Sequence, residues 1–411
     1  MAGSIEALRT GAWLTRARMR RVALAWLAAA LIGAFYLVAS SDGLNDRFGR
    51  PLGTDFANVY AAGTYVLAGE PAAPFDPARQ FAREQAIFGP ATQFYGWHYP
   101  PFFLGLAALL ALLPYALALA LWQGVTLLLY LWAMRGIVRT GPDDASRLWL
   151  LLALGFPAVF INLGHGHNGF LTTALLAAAL LQLDRRPLLA GVLFGALAYK
   201  PQFALLIPLL LAASGRWRTF FAAAATVAVL ALAVTAAFGP EVWRAFLDSM
   251  AFTRTVVLER GDTGWHKIQS VFSWVRMWGG GVALAYALQA TVSVAVAAAL
   301  VWLWRAPAAF PLQAAALLIG TVLATPYSLD YDLMLLAPAI AFLAADGIHR
   351  GFAPWRLTML AALWIVPLLT RAVAQATLIP LAVPCMLLAL AMILRVGYDQ
   401  SSATRRNNTE K

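Results

Sequence analysis

The chain has 411 residues, of which 61% are hydrophobic and 12% charged, whereas soluble domains carry about 45–50% apolar and about 25% charged residues. That excess excludes a soluble fold, because no water-exposed surface could be built from what is left. The formal net charge of +11 raises nucleic acid as a partner, and the single cysteine, Cys385, excludes an internal disulfide or a cysteine-cluster metal site and reads as a small apolar core residue.

The apolar residues arrive in blocks near 22–40, 115–134, 148–162, 169–183, 188–200, 202–213, 219–238, 282–303, 308–325, 330–346, 357–371 and 376–394. Each reads as helix, since in lipid a backbone must satisfy its own amides. The expected fold class is an all-α polytopic membrane protein, with about 12 transmembrane helices in one domain over 22–395. A basic N-terminus, 1–21, precedes that domain and a polar tail, 396–411, follows it. The first block is long for a signal peptide and lacks a clear small-residue cleavage site, so it is expected to stay as an anchor.

Basic residues sort by side of the membrane. Arg9, Arg16, Arg18, Arg20, Arg21, Arg135, Arg139, Arg147, Arg185, Arg186, Arg216, Arg218, Arg305, Arg350, Arg356 and a basic tail fall on one side in alternate loops, from which both termini are expected to be cytoplasmic in an inner (plasma) membrane. The positive charge therefore describes orientation, and no nucleic-acid partner is expected. Phe102–Leu113 lies between Pro100-Pro101 and Pro114. It is too short to cross and is expected to be re-entrant or interfacial, which keeps the 135–147 loop inside.

Two outward segments, 41–99 and 239–281, are too long for simple turns. In the first, Phe56, Val59, Tyr60, Gly63 and Leu67 share one helical face, and Phe81, Ala82, Gln85 and Phe88 another. Asp76-Pro77 predicts the start of the second helix, and both helices are expected to lie along the outer membrane surface. The second segment carries Trp243, Trp265, Trp274 and Trp278, as a lid at headgroup level would.

Asp55, His98, His165, His167, Asn168, Lys200, Gln202, His266, Lys267, Asp330 and Asp332 all fall at or near the outer helix ends in this topology. Ionisable groups at membrane depth are functional candidates by default. Asp55 reads either as a base or as a helix cap. Lys200, isolated beside Pro201 at the end of an apolar helix, needs an anion or water, or snorkels to the interface. Tyr99 is either a ligand-orienting group or an interfacial anchor. Tyr327, Asp330, Tyr331 and Asp332 form a second outer cluster whose acids suit sugar ligands, a metal or helix starts. Two histidines two apart in a Gly-rich turn do not establish a metal site. Neither a Walker loop nor a Rossmann fingerprint is present, so no nucleotide and no other cofactor is expected.

Gly53-Thr54-Asp55-Phe56, with Tyr60, Gly69, Phe75-Asp76 and Tyr99-Pro100-Pro101, resembles the first outer loop of the GT-C superfamily of polyprenyl-phosphate-sugar-dependent glycosyltransferases. Gly164-His165-Gly166-His167-Asn168, followed by Gly191, Gly195 and Tyr199-Lys200-Pro201, is similar to glycosyltransferase family 87, although that family often has Gln where His165 stands. The resemblance implies inverting transfer of a sugar, mannose first, from a polyprenyl-phosphate donor to a lipid or glycan acceptor at the extracytoplasmic face. It implies Asp55 as catalytic base, with Lys200, His165, His167, His266 and Lys267 as candidates for the donor phosphate. Tyr60, His98, Tyr99, Asn168, Gln202, Tyr327, Asp330 and Asp332 are then candidates for sugar or acceptor. A polytopic transporter or a non-catalytic binder of lipid-linked sugars is the competing expectation. Charges gathered at one end and no evident repeat weigh against a transporter.

Overall fold

Every apolar block of the sequence forms helix in the computed structural model, which describes residues 2–139 and 147–409, with side chains over 3–139 and 147–402. The part of the expected inside loop at 140–146 lies outside the described residues. Among those residues there is no strand, only isolated bridges such as Ile268 with Leu329.

Among the described residues, seven helices are long and apolar enough to cross a membrane unaided: Arg16–Ala39, Tyr115–Val138, Trp217–Phe238, Val282–Arg305, Asp330–Arg350, Arg356–Thr377 and Ala382–Ser402. An eighth forms if Leu148–Leu154 and Pro157–His165, bent by 43°, count together. The bend falls where Pro157 opens the second piece, as a residue without an amide proton must. The expected count of about 12 crossings is thus not confirmed, since several of the apolar blocks form helices too short to span. Gly169–Gln182 and Phe310–Leu323, at 14 residues each, reach about 21 Å against a hydrocarbon core of about 30 Å.

Burial explains the difference. Phe310–Leu323 is buried from Leu312 to Leu323 without interruption, so its all-round hydrophobicity serves a protein core rather than lipid. Arg16–Ala39 is the opposite case: Ala23 is its one buried residue among the described ones, leaving Leu31, Ile32, Phe35 and Val38 exposed. A face this apolar is explained by acyl chains around it. Where helices must approach closely, glycine permits it. A Cβ at Gly191 would lie 2.6 Å from the Thr219 carbonyl oxygen, and one at Gly195 2.7 Å from that of Ala223, which seats Pro187–Gly195 against Trp217–Phe238. The last apolar helix does not stop at the expected tail; it continues as one helix over Ala382–Thr409.

The segment 41–99, expected to face outward, departs from expectation in its packing. Thr54–Leu67 does not present a single wet face: Phe56–Val59, Ala61–Gly63 and Tyr65 are buried. A Cβ at Gly63 would lie 2.1 Å from the Ala107 carbonyl oxygen, so the short helix Leu104–Ala111 rests directly on it. At eight residues, that helix stays well short of a crossing, and Phe103, Leu104 and Ala107 join Phe56, Trp97, Trp122 and Tyr199 in one cluster. Asp76 behaves as its sequence predicts, its Oδ1 accepting from the Ala78 and Arg79 amides at 2.9 and 3.2 Å. In the second outer segment, helix Glu241–Thr253 runs into a π-helical stretch, Arg254–Glu259, and Trp243 packs edge-on against Phe102.

Candidate functional site

Two glycines decide where the first outer helix begins. Gly53 and Gly166 both adopt left-handed backbone, with φ of 71° and 64°, a conformation that costs other residues roughly 1–2 kcal/mol. They meet back to back: a Cβ at Gly166 would lie 2.6 Å from the Phe56 Cβ and 3.2 Å from the Gly53 Cα. The Trp122 indole donates to the Gly166 carbonyl at 3.1 Å and pins the turn. Gly53 is therefore the cap residue, and Asp55 sits inside the first turn with no capping role. The helix dipole favours a negative charge there.

This contact brings Thr54 Oγ1 to 2.9 Å and Asp55 Oδ1 to 4.0 Å from His165 Nδ1. Asp55 makes no hydrogen bond among the described residues, and its side chain is half-buried, 23% exposed. Burial pushes its carboxyl above the ordinary carboxylate range, against the pull of His165, Lys200 and Lys267, while Asp330 adds to the rise. A free carboxylate with raised basicity suits proton abstraction.

Behind His165 lies a polar wall. The His167 ring stacks on Tyr331 with centroids 3.6 Å apart, and its Nε2 lies 3.5 Å from both the Tyr99 hydroxyl and Lys200 Nζ. Both neighbours can donate, so a neutral imidazole protonated at Nδ1 fits the arrangement. Lys200 Nζ donates to Asp332 Oδ1 at 2.8 Å, with side-chain exposures of 5% and 3%, and Asp332 Oδ2 accepts the Leu329 amide. The burial cost that makes Lys200 a candidate anion ligand is thus met by a protein carboxylate. Asn168 is buried with both amide atoms unpaired among the described residues, as is His167 Nδ1. Buried polar atoms without partners are scarce in native proteins and mark a place for ligand or water.

A third element closes the cluster. The Gln269 amide donates to the Ser328 carbonyl at 2.6 Å, and Thr370 Oγ1 donates to Gln269 Oε1. These bonds hold the turn Trp265–Lys267 beside the Asp330 turn and the end of helix Arg356–Thr377. Arg371 then lies 3.6 Å from Asp330 Oδ2 while 40% exposed. Burial lowers the affinity of Lys267 and of His266 for a proton, and Arg371 lowers both further. Three cationic or potentially cationic groups thus stand together beyond Asp330. Arg371 escapes the sequence-based candidates, although an arginine inside the last apolar turns of a helix is itself a signal.

Other candidates stand apart. The Tyr60 hydroxyl donates to the Leu113 carbonyl and its ring packs on Tyr115. His98 Nδ1 pairs with Thr253 Oγ1 at 2.8 Å, joining the two outer segments. Tyr327 packs with Val257, Leu258 and Phe272. Gln202 follows Lys200 on the short helix Pro201–Ala204, half-buried. Asp330 Oδ1 accepts the Tyr331 amide, so both acids of the second cluster are engaged by protein groups. Among the described residues, no three His, Cys, Asp or Glu side chains group as metal ligands would.

The family model of glycosyltransferase family 87 matches residues 97–326. That is more than half of the chain, which belongs to this family and is a membrane glycosyltransferase. Asp55, Asp330, Asp332 and Arg371 lie outside the matched stretch. No curated protein and no solved structure matches the chain.

Proposed function

We propose that this family 87 glycosyltransferase moves a sugar, with mannose the leading candidate, from a polyprenyl-phosphate donor to a hydroxyl of a lipid or glycan, with inversion at the anomeric carbon. The observation that carries the reading is the Asp55 carboxylate, free of hydrogen bonds among the described residues, raised in basicity and 4.0 Å from His165, within electrostatic reach of Lys267 and of Asp330, which Arg371 meets at 3.6 Å. A hydroxyl is a weak nucleophile, and a carboxylate that takes its proton lowers the barrier.

In a single displacement the acceptor oxygen bonds to the anomeric carbon as the bond to the phosphate oxygen breaks. The acceptor proton passes to Asp55, and the electron pair of the broken bond stays on the lipid phosphate. Charge growing on that phosphate is what fixed cations stabilise best. Lys267 and Arg371 are the residues assigned to it, with His165 and His266 beside them. Lys200 acts indirectly, by holding Asp332 and the His167–Tyr331 stack. Asn168 and Tyr99 take sugar hydroxyls. The arginine-rich loops at the opposite helix ends support an extracytoplasmic site with cytoplasmic termini in the inner membrane.

The test is single-turnover transfer from polyprenyl-phosphate mannose by Asp55→Asn. Because Asp55 is not a cap, stability moves by no more than the dipole interaction, about 0.3–1 kcal/mol. Turnover falls about 10²-fold or more, with donor affinity near the parent's. Transfer at the parent rate would exclude Asp55 as base.

A further inference from the structure

At the end of the helices opposite the Asp55 cluster, a cavity of about 340 Å³ opens among Asp346, Arg350, Phe352, Arg356, Val396 and Gln400. The 15-residue helix Leu336–Arg350 alone separates the two places by about 22 Å, so the cavity is no part of the transfer site. Its floor continues into an apolar crevice lined by Leu312, Leu343, Met359, Leu360, Met392 and Ile393, the two sharing Ala353, Arg356 and Val396. One end of the cavity is polar and one is apolar.

The polar end is built rather than incidental. Arg356 is buried and donates to the Leu343 carbonyl and, at 2.8 Å, to Asp346 Oδ2. Arg350 meets Asp346 Oδ1 through its Nε at 3.2 Å while remaining 59% exposed. Asp346, itself buried, thus fixes two guanidinium groups at the mouth, and two arginines against one aspartate leave a net positive charge. The Arg350 contact uses the inner edge of the guanidinium, so its terminal nitrogens remain suited to fork a phosphate. Gly351, with φ of 87° and nothing near its absent Cβ, keeps the mouth open.

We propose that this cavity binds an anionic phospholipid, with the headgroup phosphate on Arg350 and Arg356 and the first acyl carbons against the Leu312–Leu343–Met359 crevice. Charge complementarity selects the headgroup, and the apolar continuation selects a lipid over a soluble anion. The crevice lies among the helices Phe310–Leu323, Leu336–Arg350, Arg356–Thr377 and Ala382–Thr409, so the bound lipid bridges them.

The experiment uses the full chain, purified in detergent, with thermal unfolding read against added phosphatidylglycerol, phosphatidylcholine and inorganic phosphate. Phosphatidylglycerol is expected to raise the midpoint by several degrees at saturation, and the other two to leave it unchanged. Arg350→Gln, an exposed position whose loss spares the buried Arg356–Asp346 pair, is expected to weaken the phosphatidylglycerol response at least tenfold in concentration. Arg218→Gln, an exposed arginine outside the cavity with the same change in charge, is expected to keep it. Three results overturn the proposal: an equal shift with inorganic phosphate, an equal shift with phosphatidylcholine, or equal weakening by the two variants.

Discussion

Removing the Lys200 ammonium tests whether that residue binds donor or holds the protein together. Its Nζ lies 2.8 Å from Asp332 Oδ1, both side chains are almost fully buried, and the Phe203 and Tyr331 rings lie 5.2 and 5.6 Å from the charge. Lys200→Met keeps the aliphatic length between those rings but strands a buried carboxylate. Breaking a buried pair from one side costs about 3–5 kcal/mol. For a chain of this length that corresponds to about 4–6 °C in the unfolding midpoint. Lys200→Met combined with Asp332→Asn removes both charges while the amide oxygen still accepts the Leu329 amide. Most of the loss should therefore return, with a coupling of about 2–3 kcal/mol between the sites. The assay is thermal unfolding of parent, both single variants and the double variant, alongside the donor KM. An unchanged midpoint with a donor KM raised tenfold or more in Lys200→Met would refute the structural role and restore Lys200 as a phosphate ligand.

Arg371→Ala is expected to raise the donor KM about tenfold or more, since a charge-assisted bond to an anion contributes about 1.5–3 kcal/mol. Arg371→Lys should recover part of that, because charge persists while the fork is lost; steady-state kinetics against donor concentration decides. Gly166→Ala drives a methyl into Phe56 and the Gly53 backbone and should lower both turnover and midpoint. Gly215→Ala, at φ of 70° with nothing within 4 Å, bears only the backbone cost of about 1–2 kcal/mol, so the difference between the two variants isolates the Gly53–Gly166 contact. Glu84 is buried, accepts from the Tyr95 amide at 2.9 Å, and burial pushes its carboxyl from 4.5 to about 8. Its folded form holds the proton more tightly, so its contribution to stability is complete below pH 4.5, declines as pH rises, and is gone above about 8. Glu84→Gln should flatten the stability profile across that window, its amide oxygen still able to accept from the Tyr95 amide or from Gln80 Nε2; a parent-like slope would exclude Glu84 as its source.

Hydropathy and capping are properties of neighbouring residues, and what depends on them was legible in the sequence. The apolar blocks become helices, Asp76-Pro77 starts one where expected, and the proline-bounded stretch near 102–113 forms a helix too short to cross. Asp55, His165, His167, Asn168 and Lys200 stand out in the sequence because polar groups at apolar helix ends are costly and therefore conspicuous. Tertiary structure alone decided what each of them meets. Asp332 neutralises Lys200 from 132 residues away, a pairing that no local period encodes. Gly53 rather than Asp55 caps the first outer helix, because a glycine from a turn more than a hundred residues later must fit against it. Arg371 meets Asp330 only because its helix packs beside two separate turns, and the Tyr60 hydroxyl donates to the Leu113 carbonyl, a partner that no local pattern announces. Hydrophobicity places a segment in the membrane, whereas hydrogen-bond geometry and close packing between distant segments determine which polar groups remain free for chemistry.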